Sequence, residues 1–460
     1  MPSFIVDLIY VVSAGLFVFG LKQLGSPVTA RRGNALAAGA MLLAIVGTLL
    51  GRGIVTWEII ATSLIVGTLI GVVLARTVKM TAMPQLVGAF NGLGGGASAL
   101  VAAAELLRSG GQVEVSMAAG VTVAAGILVG SVTFSGSFIA FGKLQGFLPG
   151  QPLTYPLQRT LNFLLFISLL VASGYLVASG DHLTATAILA GLSLLLGVLL
   201  VLPIGGADMP VVVSLLNSYS GLAAAAAGFV LGIPLLVLAG ALVGAAGLIL
   251  TRHMCRAMNR SLVNVAFGAF GSGDSGSTST DEGDKPVRRT TVEEAALLLA
   301  YAQSVVIVPG YGLAVAQGQH EAKKLVNLLR ERDVRVRFAI HPVAGRMPGH
   351  MNVLLAEADV PYDLLVDLDD INPEFSRTDV VVVVGANDVV NPLARDPSSV
   401  IAGMPILDVD RAQSVIVIKR SLSSGFAGID NPLFYLDGTM MLFSDAREAL
   451  SELAREVREV

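Results

Sequence analysis

Long apolar stretches fill the first 250 residues of the chain, and their lengths match helices that cross a membrane. A hydrocarbon core of about 30 Å needs about 20 apolar residues per helix. Windows of that length predict nine spans, although the short break at 232–234 would also allow eight or ten. No stretch alternates apolar and polar positions as a membrane barrel does, so an all-α helical bundle is predicted. The predicted spans are approximately 4–21, 34–50, 55–75, 83–107, 116–141, 159–178, 183–202, 208–231 and 232–252.

Short apolar runs that alternate with helical stretches follow in the last third of the chain. Runs of five to seven apolar residues are typical of buried parallel strands. Helices are expected between several of them, at 313–331, 349–358 and 445–458. This alternation predicts a soluble, Rossmann-like α/β domain with a doubly wound parallel sheet and its ligand at the carboxyl ends of the strands. The predicted strands are 304–308, 334–340, 379–384, 404–409, 414–418 and 439–443.

Charge is distributed as unevenly as hydropathy. The 460 residues are 54% hydrophobic and 14% charged, with a mean hydropathy of +0.74, whereas globular chains are about 25% charged. Residues 1–250 hold 9 Lys/Arg and 6 Asp/Glu, while residues 251–460 hold 21 and 28. A wholly soluble protein is therefore excluded. The single cysteine, Cys255, excludes disulfides and thiolate metal cages, and a net charge of −4 gives no reason to expect nucleic acid as a partner.

The boundary between the two halves is marked by a Gly/Ser-rich segment from Gly271 to Thr280, followed by a charged run to Arg289. Such composition is typical of a flexible tether. Loops after odd-numbered spans carry ten Lys/Arg and loops after even-numbered spans carry two. The positive-inside rule then places the N-terminus outside and the polar domain in the cytoplasm. The predicted domains are 1–260 in the membrane, a linker at 261–289 and a soluble domain at 290–460.

Polar residues within the apolar spans are candidates for an ion or proton route. An acid at the centre of a membrane costs about 2.5–3.5 kcal/mol and usually has a function there. Asp208 and Asn217 are the candidates, although hydration at the end of its helix is an alternative explanation for Asp208. Ser214, Ser218 and Gly221 share a helix face with Asn217. For the many glycines of the spans, close helix packing is the favoured interpretation.

A glycine-rich turn follows the first predicted strand of the soluble domain, where Gly310, Gly312 and Val315 form a GxGxxV pattern before a helix. In a dinucleotide fingerprint the first glycine allows a tight turn and the second lets phosphate approach the backbone. A small third residue lets helix and strand pack. Pyrophosphate then meets the helix N-terminus. The strand–turn–helix context favours a dinucleotide site over an ordinary tight turn.

The phosphate that distinguishes NADP from NAD has a candidate binding site in the pair Lys419 and Arg420. An NAD site usually has an acidic residue at the end of its second strand, but here that strand ends at Ile340 and leads into His341, with no acid. Arg grips phosphate bidentately and Lys supplies charge, so NADP is favoured over the alternative of a solvated strand end. His341 and His350 are either site residues or ordinary core histidines.

Taken together, these motifs resemble the β subunit of the proton-translocating NAD(P) transhydrogenase. The matching runs lie in both halves of the chain, so the resemblance is far more specific than the fingerprint. They are Gly205–Val213, Leu216–Gly221, Pro309–Gly312, His341–His350, Gly385–Asp388 and Lys419–Ser421.

The resemblance implies a cytoplasmic NADP(H)-binding domain attached to a proton-conducting domain in a bacterial inner membrane. It also implies a partner α subunit, of one or more chains, that binds NAD(H), and a dimer of the complex. Hydride would pass from NADH to NADP⁺ while a proton moves inward; the cofactors carry the chemistry, so no catalytic side chain is expected. The implied cofactor contacts are Tyr311, Val343, Ala344, Gly345, Arg346, Met347, Pro348, Gly385, Ala386, Asn387, Asp388, Val389, Gly403, Met404, Lys419, Arg420, Ser421, Leu422, Ser423, Ser424, Gly425, Phe426, Asp445 and Ala446.

Two positions depart from the family pattern. Asn91 stands where some members have a histidine regarded as a proton carrier, and asparagine cannot titrate. The implied proton route, through Asn91, Asp208 and Asn217, would then use a carrier elsewhere, such as a histidine of the partner subunit. Phe426 stands where tyrosine is frequent. The alternative functions are a secondary ion transporter with a nucleotide-sensing regulatory domain and a passive membrane anchor for a reductase.

Overall fold

The computed structural model divides into two compact units, an apolar helical unit and a unit built on a β-sheet. The described residues are 3–51, 57–78, 82–108, 117–149, 153–178, 182–205, 208–258, 287–347, 349–399, 401–425 and 427–460. The predicted linker at 261–289 therefore lies outside them except for its last three residues.

The described part of the first unit contains nine helices that are long and apolar enough to cross a membrane. The predicted bundle is thereby confirmed. A left-handed Gly232 at φ 63° ends the eighth helix, and Pro234 begins the ninth, so the two remain separate spans. The helices are α1 (Ser3–Leu24), α2 (Pro27–Gly51), α3 (Trp57–Thr77), α4 (Met83–Arg108), α5 (Met117–Gln145), α6 (Gln158–Ala178), α7 (His182–Val201), α8 (Met209–Leu231) and α9 (Pro234–Ala257).

Small residues let α8 and α9 approach closely. A Cβ atom added to Gly221 would lie 2.4 Å from the backbone nitrogen of Gly244. The Ser218 hydroxyl donates to the carbonyl oxygen of Gly244 at 2.6 Å, and the Thr251 hydroxyl lies 3.0 Å from that of Ser214. Three residues predicted to share a face of α8 thus pack against α9 and hold the two helices together, namely Ser214, Ser218 and Gly221.

The second unit is built on a six-stranded, all-parallel sheet with the strand order β3-β2-β1-β4-β5-β6. This is the order of a doubly wound dinucleotide-binding fold, so the predicted fold class is confirmed. The strands are β1 (Ser304–Pro309), β2 (Arg335–Ile340), β3 (Leu365–Asp367), β4 (Val380–Val384), β5 (Ser414–Lys419) and β6 (Thr439–Phe443). The helices are α10 (Val292–Tyr301), α11 (Tyr311–Ala316), α12 (Gln319–Glu331), α13 (His350–Glu357), α14 (Leu368–Ile371) and α15 (Ala446–Glu459).

The sheet is covered on both faces, which explains why its strands are almost continuously apolar. Alternate residues of each strand belong to different cores: Val305 and Ile307 pack on the side of α12 and α15. Val306 and Val308 pack on the other side, with Phe375. The central strand β4 consists of five valines, all buried.

One predicted strand is wrong and one strand was missed. Residues 404–409 form no strand; within them the Leu407 amide donates to the Val389 carbonyl at 2.9 Å, but no ladder follows. Pro405 in this run lacks an amide donor, which disfavours a central strand. The missed strand is β3, a three-residue edge strand that pairs with β2 and brings the number of strands in the sheet to six.

The start of the sheet unit precedes residue 290. Arg289 forms a parallel bridge with Met441, the Thr290 amide donates to the Met441 carbonyl at 3.1 Å, and the Met441 amide donates to the Arg288 carbonyl at 2.8 Å. The chain therefore lies along β6 before α10 begins. A fragment of this unit should include these residues.

Candidate functional site

A cavity of about 690 Å³ lies at the carboxyl ends of β1, β4 and β5. In a sheet with this strand order, the crevice between β1 and β4 is where ligands bind, because the connections there diverge to opposite faces. Most residues predicted for cofactor binding line it. They are Gly310, Tyr311, Gly312, Val315, Val343, Ala344, Gly345, Gly385, Ala386, Asn387, Asp388, Val389, Lys419, Arg420, Ser421, Ser423, Ser424, Gly425, Asp445 and Ala446.

The floor of the cavity is made by two glycine turns whose backbones touch. The Gly310 amide donates to the Val384 carbonyl at 2.8 Å, and the Gly312 amide donates to the Gly385 carbonyl at 2.9 Å. A Cβ on Gly310 would lie 2.4 Å from the Gly385 oxygen, and one on Gly385 would lie 2.5 Å from the Gly312 Cα. Gly310 has an extended backbone with φ −119°. Position 310 therefore requires glycine because the turn after β4 passes so close to it, and not because of a special dihedral angle.

The helix that follows the first turn is shorter than predicted. Gln317 adopts a left-handed conformation at φ 53° and splits the expected helix 313–331 into α11 and α12. Leu313 and Ala314 are the buried residues of α11. Val315 is 48% exposed and lines the cavity. Its side chain is thus a wall of the cavity, whereas the sequence pattern placed it between helix and strand.

The segment after β5 lines the cavity and is held by Lys419. Its Nζ donates to the Ser423 carbonyl at 2.5 Å and lies 4.8 Å from the centre of the Phe434 ring. In the amide orientation that satisfies its neighbours, the Asn387 side-chain oxygen accepts from Lys419 Nζ at 3.0 Å. Burial lowers the pKa of the Lys419 amine, while the carboxylates of Asp388 and Asp430 act in the opposite direction. Lys419 is therefore largely committed to holding this segment.

Arg420 differs from its neighbour because it is exposed while lining the cavity. Within the described residues it takes part in no hydrogen bond or ion pair, so its guanidinium is available to an anionic ligand. Ser421 and Ser423 line the cavity beside it. A guanidinium with neighbouring hydroxyls is a donor set suited to a phosphate.

Asp388 fastens the other end of the same segment. One of its carboxylate oxygens accepts from the Ala427 amide at 2.9 Å. A Cβ on Gly425 would lie 2.4 Å from the other oxygen, so only glycine fits beside this carboxylate. Any change in the charge or position of Asp388 therefore acts directly on Gly425 and Ala427.

The loop after β2 is organised by two buried histidines. His341 Nε2 donates to the Pro405 carbonyl at 2.8 Å and Nδ1 accepts from the Val343 amide at 3.2 Å. Burial lowers the pKa of His341 to about 4, against the opposing effect of the Pro405 carbonyl. His350 Nδ1 accepts from the Arg346 amide at 2.9 Å, and burial followed by the Arg346 charge lowers the pKa of His350. Both rings are thus neutral supports of the loop.

Several predicted cofactor residues lie beside the cavity without lining it. The Arg346 guanidinium stacks 4.5 Å from the centre of the Tyr311 ring. Met404 packs on a small apolar cluster around Ile401, below the loop that begins at Asp388. Met347, Gly403 and Leu422 are also absent from the lining. Pro348 and Phe426 lie outside the described residues.

Sequence reasoning missed three lining residues, namely Ala316, Ile418 and Ser444. Ile418 and Ser444 are at or just beyond the carboxyl ends of β5 and β6, so strand position alone could have indicated them. Among the described residues no group of three His, Cys, Asp or Glu side chains is placed to hold a metal ion. The cavity offers glycine backbone, hydroxyls and cations, and this set fits a nucleotide with phosphates.

The polar residues predicted for a proton route are only partly brought together. Asn91 is buried where α4, α5 and α8 meet: its Nδ2 donates to Ser137 Oγ at 2.9 Å and its Oδ1 accepts from Ser220 Oγ at 2.8 Å. Asn217 is one turn before Ser220 on α8. Asp208 directly precedes α8, and at 1.5 Å per residue it is about 18 Å along the helix from Ser220.

A bundle of membrane-length helices followed by a parallel sheet with a glycine-floored cavity defines a membrane protein with a Rossmann-like domain. The sequence profile of the NAD(P) transhydrogenase beta subunit family matches residues 6–456. Two relatives from Rhodospirillum rubrum, each named NAD(P) transhydrogenase subunit beta, are 49% identical over 453 residues, which is 97% of this chain and 97% of each relative. The chain therefore belongs to the NAD(P) transhydrogenase beta subunit family and is a component of that enzyme complex. A nicotinamide nucleotide and an alpha subunit are implied by this membership.

Proposed function

We propose that this beta subunit binds NADP(H) in its sheet domain and accepts hydride from NADH held by an alpha subunit, while a proton moves inward across the membrane. The observation that carries the proposal is the cavity at the carboxyl ends of β1 and β4, with Arg420 exposed at its edge. Family membership favours this function over an ion transporter with a nucleotide-sensing domain or a passive anchor.

The coenzyme would be held by backbone on one side and by cations on the other. The touching turns at Gly310 and Gly385 leave an open floor along which a pyrophosphate can lie. Arg420 is the proposed partner of the 2′-phosphate, and Lys419 keeps the segment 419–425 in place above it. When bound, the nicotinamide supplies the hydride chemistry, and the protein supplies placement and electrostatics.

Specificity can be tested by comparing Arg420→Gln with Lys419→Gln. A charged hydrogen bond to phosphate contributes about 1.5–3 kcal/mol, so Arg420→Gln should weaken NADP⁺ binding roughly 10- to 100-fold and leave NAD⁺ binding unchanged. Lys419→Gln should weaken both coenzymes, because it releases the segment that covers them. Titration calorimetry provides the measurement, and an unchanged NADP⁺ affinity in Arg420→Gln would contradict the assignment.

Asp388 is the proposed connection between coenzyme state and proton movement. Its carboxylate holds the backbone at Ala427, so a coenzyme that changes this contact also changes the cover of the site. Such a mechanism needs different affinities of each state for NADP⁺ and NADPH, since equal affinities shift nothing. Asp388→Asn is expected to reduce both the NADP⁺/NADPH discrimination and the protons moved per hydride, as measured in liposomes containing both subunits. Unchanged values for both would count against this role.

The remaining parts of the assignment are proposals as well. Residues 1–260 would form the proton-conducting domain, 261–289 a linker that lets the sheet domain reorient, and 290–460 the coenzyme domain, with Arg288 and Arg289 of the linker range already paired with β6. The N-terminus would lie outside and the sheet domain in the cytoplasm of a bacterial cell, with the complex in a lipid bilayer as a dimer. The proton route would pass Asn91, Asp208 and Asn217.

A further inference from the structure

Lys143 is buried within the apolar unit, where a charge is costly. It lies in the last turn of α5 and is 5% exposed. Among the Lys, Arg, Asp and Glu side chains that the structure describes, no other is buried to this degree. A buried ionisable group in a membrane span is expensive and is usually retained for a function. Methionine or leucine would fill the same space, so packing alone does not explain a lysine at this position.

The Lys143 amine contacts the carboxyl end of a neighbouring helix. Its Nζ donates to the Leu202 carbonyl at 2.5 Å and to the Ile204 carbonyl at 2.8 Å. Helix α7 ends at Val201, so these two carbonyls lie one and three residues beyond it, next to the last carbonyls of the helix, which lack partners within it. They also carry the negative end of the helix dipole, which a cation stabilises. An ammonium group is therefore well matched to this position.

Two further groups bind the same helix end without contributing charge. The Leu153 amide donates to the Leu202 carbonyl at 3.2 Å, and the Tyr155 hydroxyl lies 3.2 Å from the Leu199 carbonyl. The Tyr155 hydroxyl also lies 2.9 Å from Asn162 Oδ1. The end of α7 is thus held by several neutral contacts and by one cation.

The segment held by Lys143 leads directly to Asp208. Ile204 is four residues before Asp208, and the Asp208 amide donates to the Gly205 carbonyl at 3.1 Å. Helix α8 begins at the next residue, Met209, and the Val212 amide donates to the Asp208 carbonyl at 3.0 Å. The described segment 202–205 therefore contacts, through the Gly205 carbonyl, the residue that directly precedes α8.

We propose that Lys143 is a positioning residue for proton coupling: by binding the Leu202 and Ile204 carbonyls, it fixes the segment 202–205, which accepts the Asp208 amide, and with it Asp208. This inference rests on the proposed proton-linked transhydrogenation. It differs from simple helix capping because the positive charge, and not only a hydrogen-bond donor, is required to hold the segment that contacts an acid.

The test uses the full chain with its alpha subunit in liposomes. NADPH formation from NADH is measured with and without a pH gradient imposed in the driving direction. In Lys143→Met the rate without a gradient should stay within about threefold of wild type, while acceleration by the gradient should fall to about one. Lys143→Arg should restore at least half of the acceleration. Lys143→Gln, which keeps a donor but no charge, should lose it, and this variant carries the test if the methionine variant fails to assemble.

Tyr155→Phe is the matched control, because it removes a neutral contact with the same helix end. It should keep the acceleration. Full acceleration in Lys143→Gln, or an equal loss in Tyr155→Phe, would overturn the proposal and leave ordinary capping. A wild-type complex that shows hydride transfer but no acceleration would instead overturn the proposed proton coupling itself.

Discussion

Replacing Gly385 with alanine would test whether the two glycine turns require each other. Gly385 has φ +63°, and an added Cβ would lie 2.5 Å from the Gly312 Cα and 2.8 Å from the Leu313 nitrogen. The left-handed backbone costs a non-glycine residue about 1–2 kcal/mol. Relieving the overlap requires backbone movement, which costs about 1–3 kcal/mol. The expected loss in the free energy of unfolding is therefore about 2–5 kcal/mol.

Thermal unfolding of a fragment spanning 287–460, followed by circular dichroism, provides the assay. For a domain of this size each kcal/mol lowers Tm by about 2–4 °C, so Gly385→Ala should lower it by roughly 4–20 °C. Gly428→Ala is the matched control, because Gly428 has φ +70° but nothing lies within 4 Å of its Cβ position. This variant is destabilised only by its left-handed backbone, and its Tm should fall by roughly 2–8 °C. An equal loss in both variants would refute the packing argument.

Two further predictions concern other parts of the chain. Because the pKa of His341 is lowered to about 4 by burial, the unfolded chain takes up this proton first as pH falls below about 6.5, and stability should decrease by up to roughly 3 kcal/mol by pH 4. His341→Gln should make this dependence shallower in acid unfolding of the fragment 287–460, and an unchanged dependence in this variant would contradict the effect of burial. Gly221→Leu should lower the free energy of unfolding of the helical unit by about 1–3 kcal/mol, because the leucine side chain would collide with α9. Gly174→Leu, with nothing within 4 Å, should leave thermal stability in detergent unchanged; equal effects of the two would contradict the α8–α9 packing.

The elements that could be predicted from sequence are those with strong periodicity or length. The nine spans follow from the length of their apolar stretches alone. The strand β4 is predicted by its five consecutive valines, because such a run is typical of a strand that is buried on both faces of the sheet. The run at 404–409 is also mainly apolar, but Leu407 and Val409 pack in the core on one face of the sheet without joining a strand, and Ile406 packs in a separate small cluster. The strand β3 has only three residues, one of which is the acid Asp367, so it gives no signal in the sequence.

Most of the residues that line the candidate site could be named from the sequence, but the separate role of each residue could not. The sequence identifies Lys419 and Arg420 as a pair of cations, yet only their three-dimensional surroundings separate a buried lysine, held by Ser423, from an exposed arginine. The glycine pattern at Gly310 is visible in the sequence. Its physical cause, the contact with Gly385, joins positions 75 residues apart and has no local signature.

We expect the sheet domain to distinguish NADP from NAD by the 2′-phosphate. The most direct measurement is isothermal titration of the fragment 287–460 with each coenzyme, since this unit has its own apolar cores and keeps the pairing of Arg288–Thr290 with β6. NADP⁺ should bind with a Kd at least tenfold lower than that of NAD⁺. A folded fragment that binds both coenzymes equally, or neither, would contradict the account.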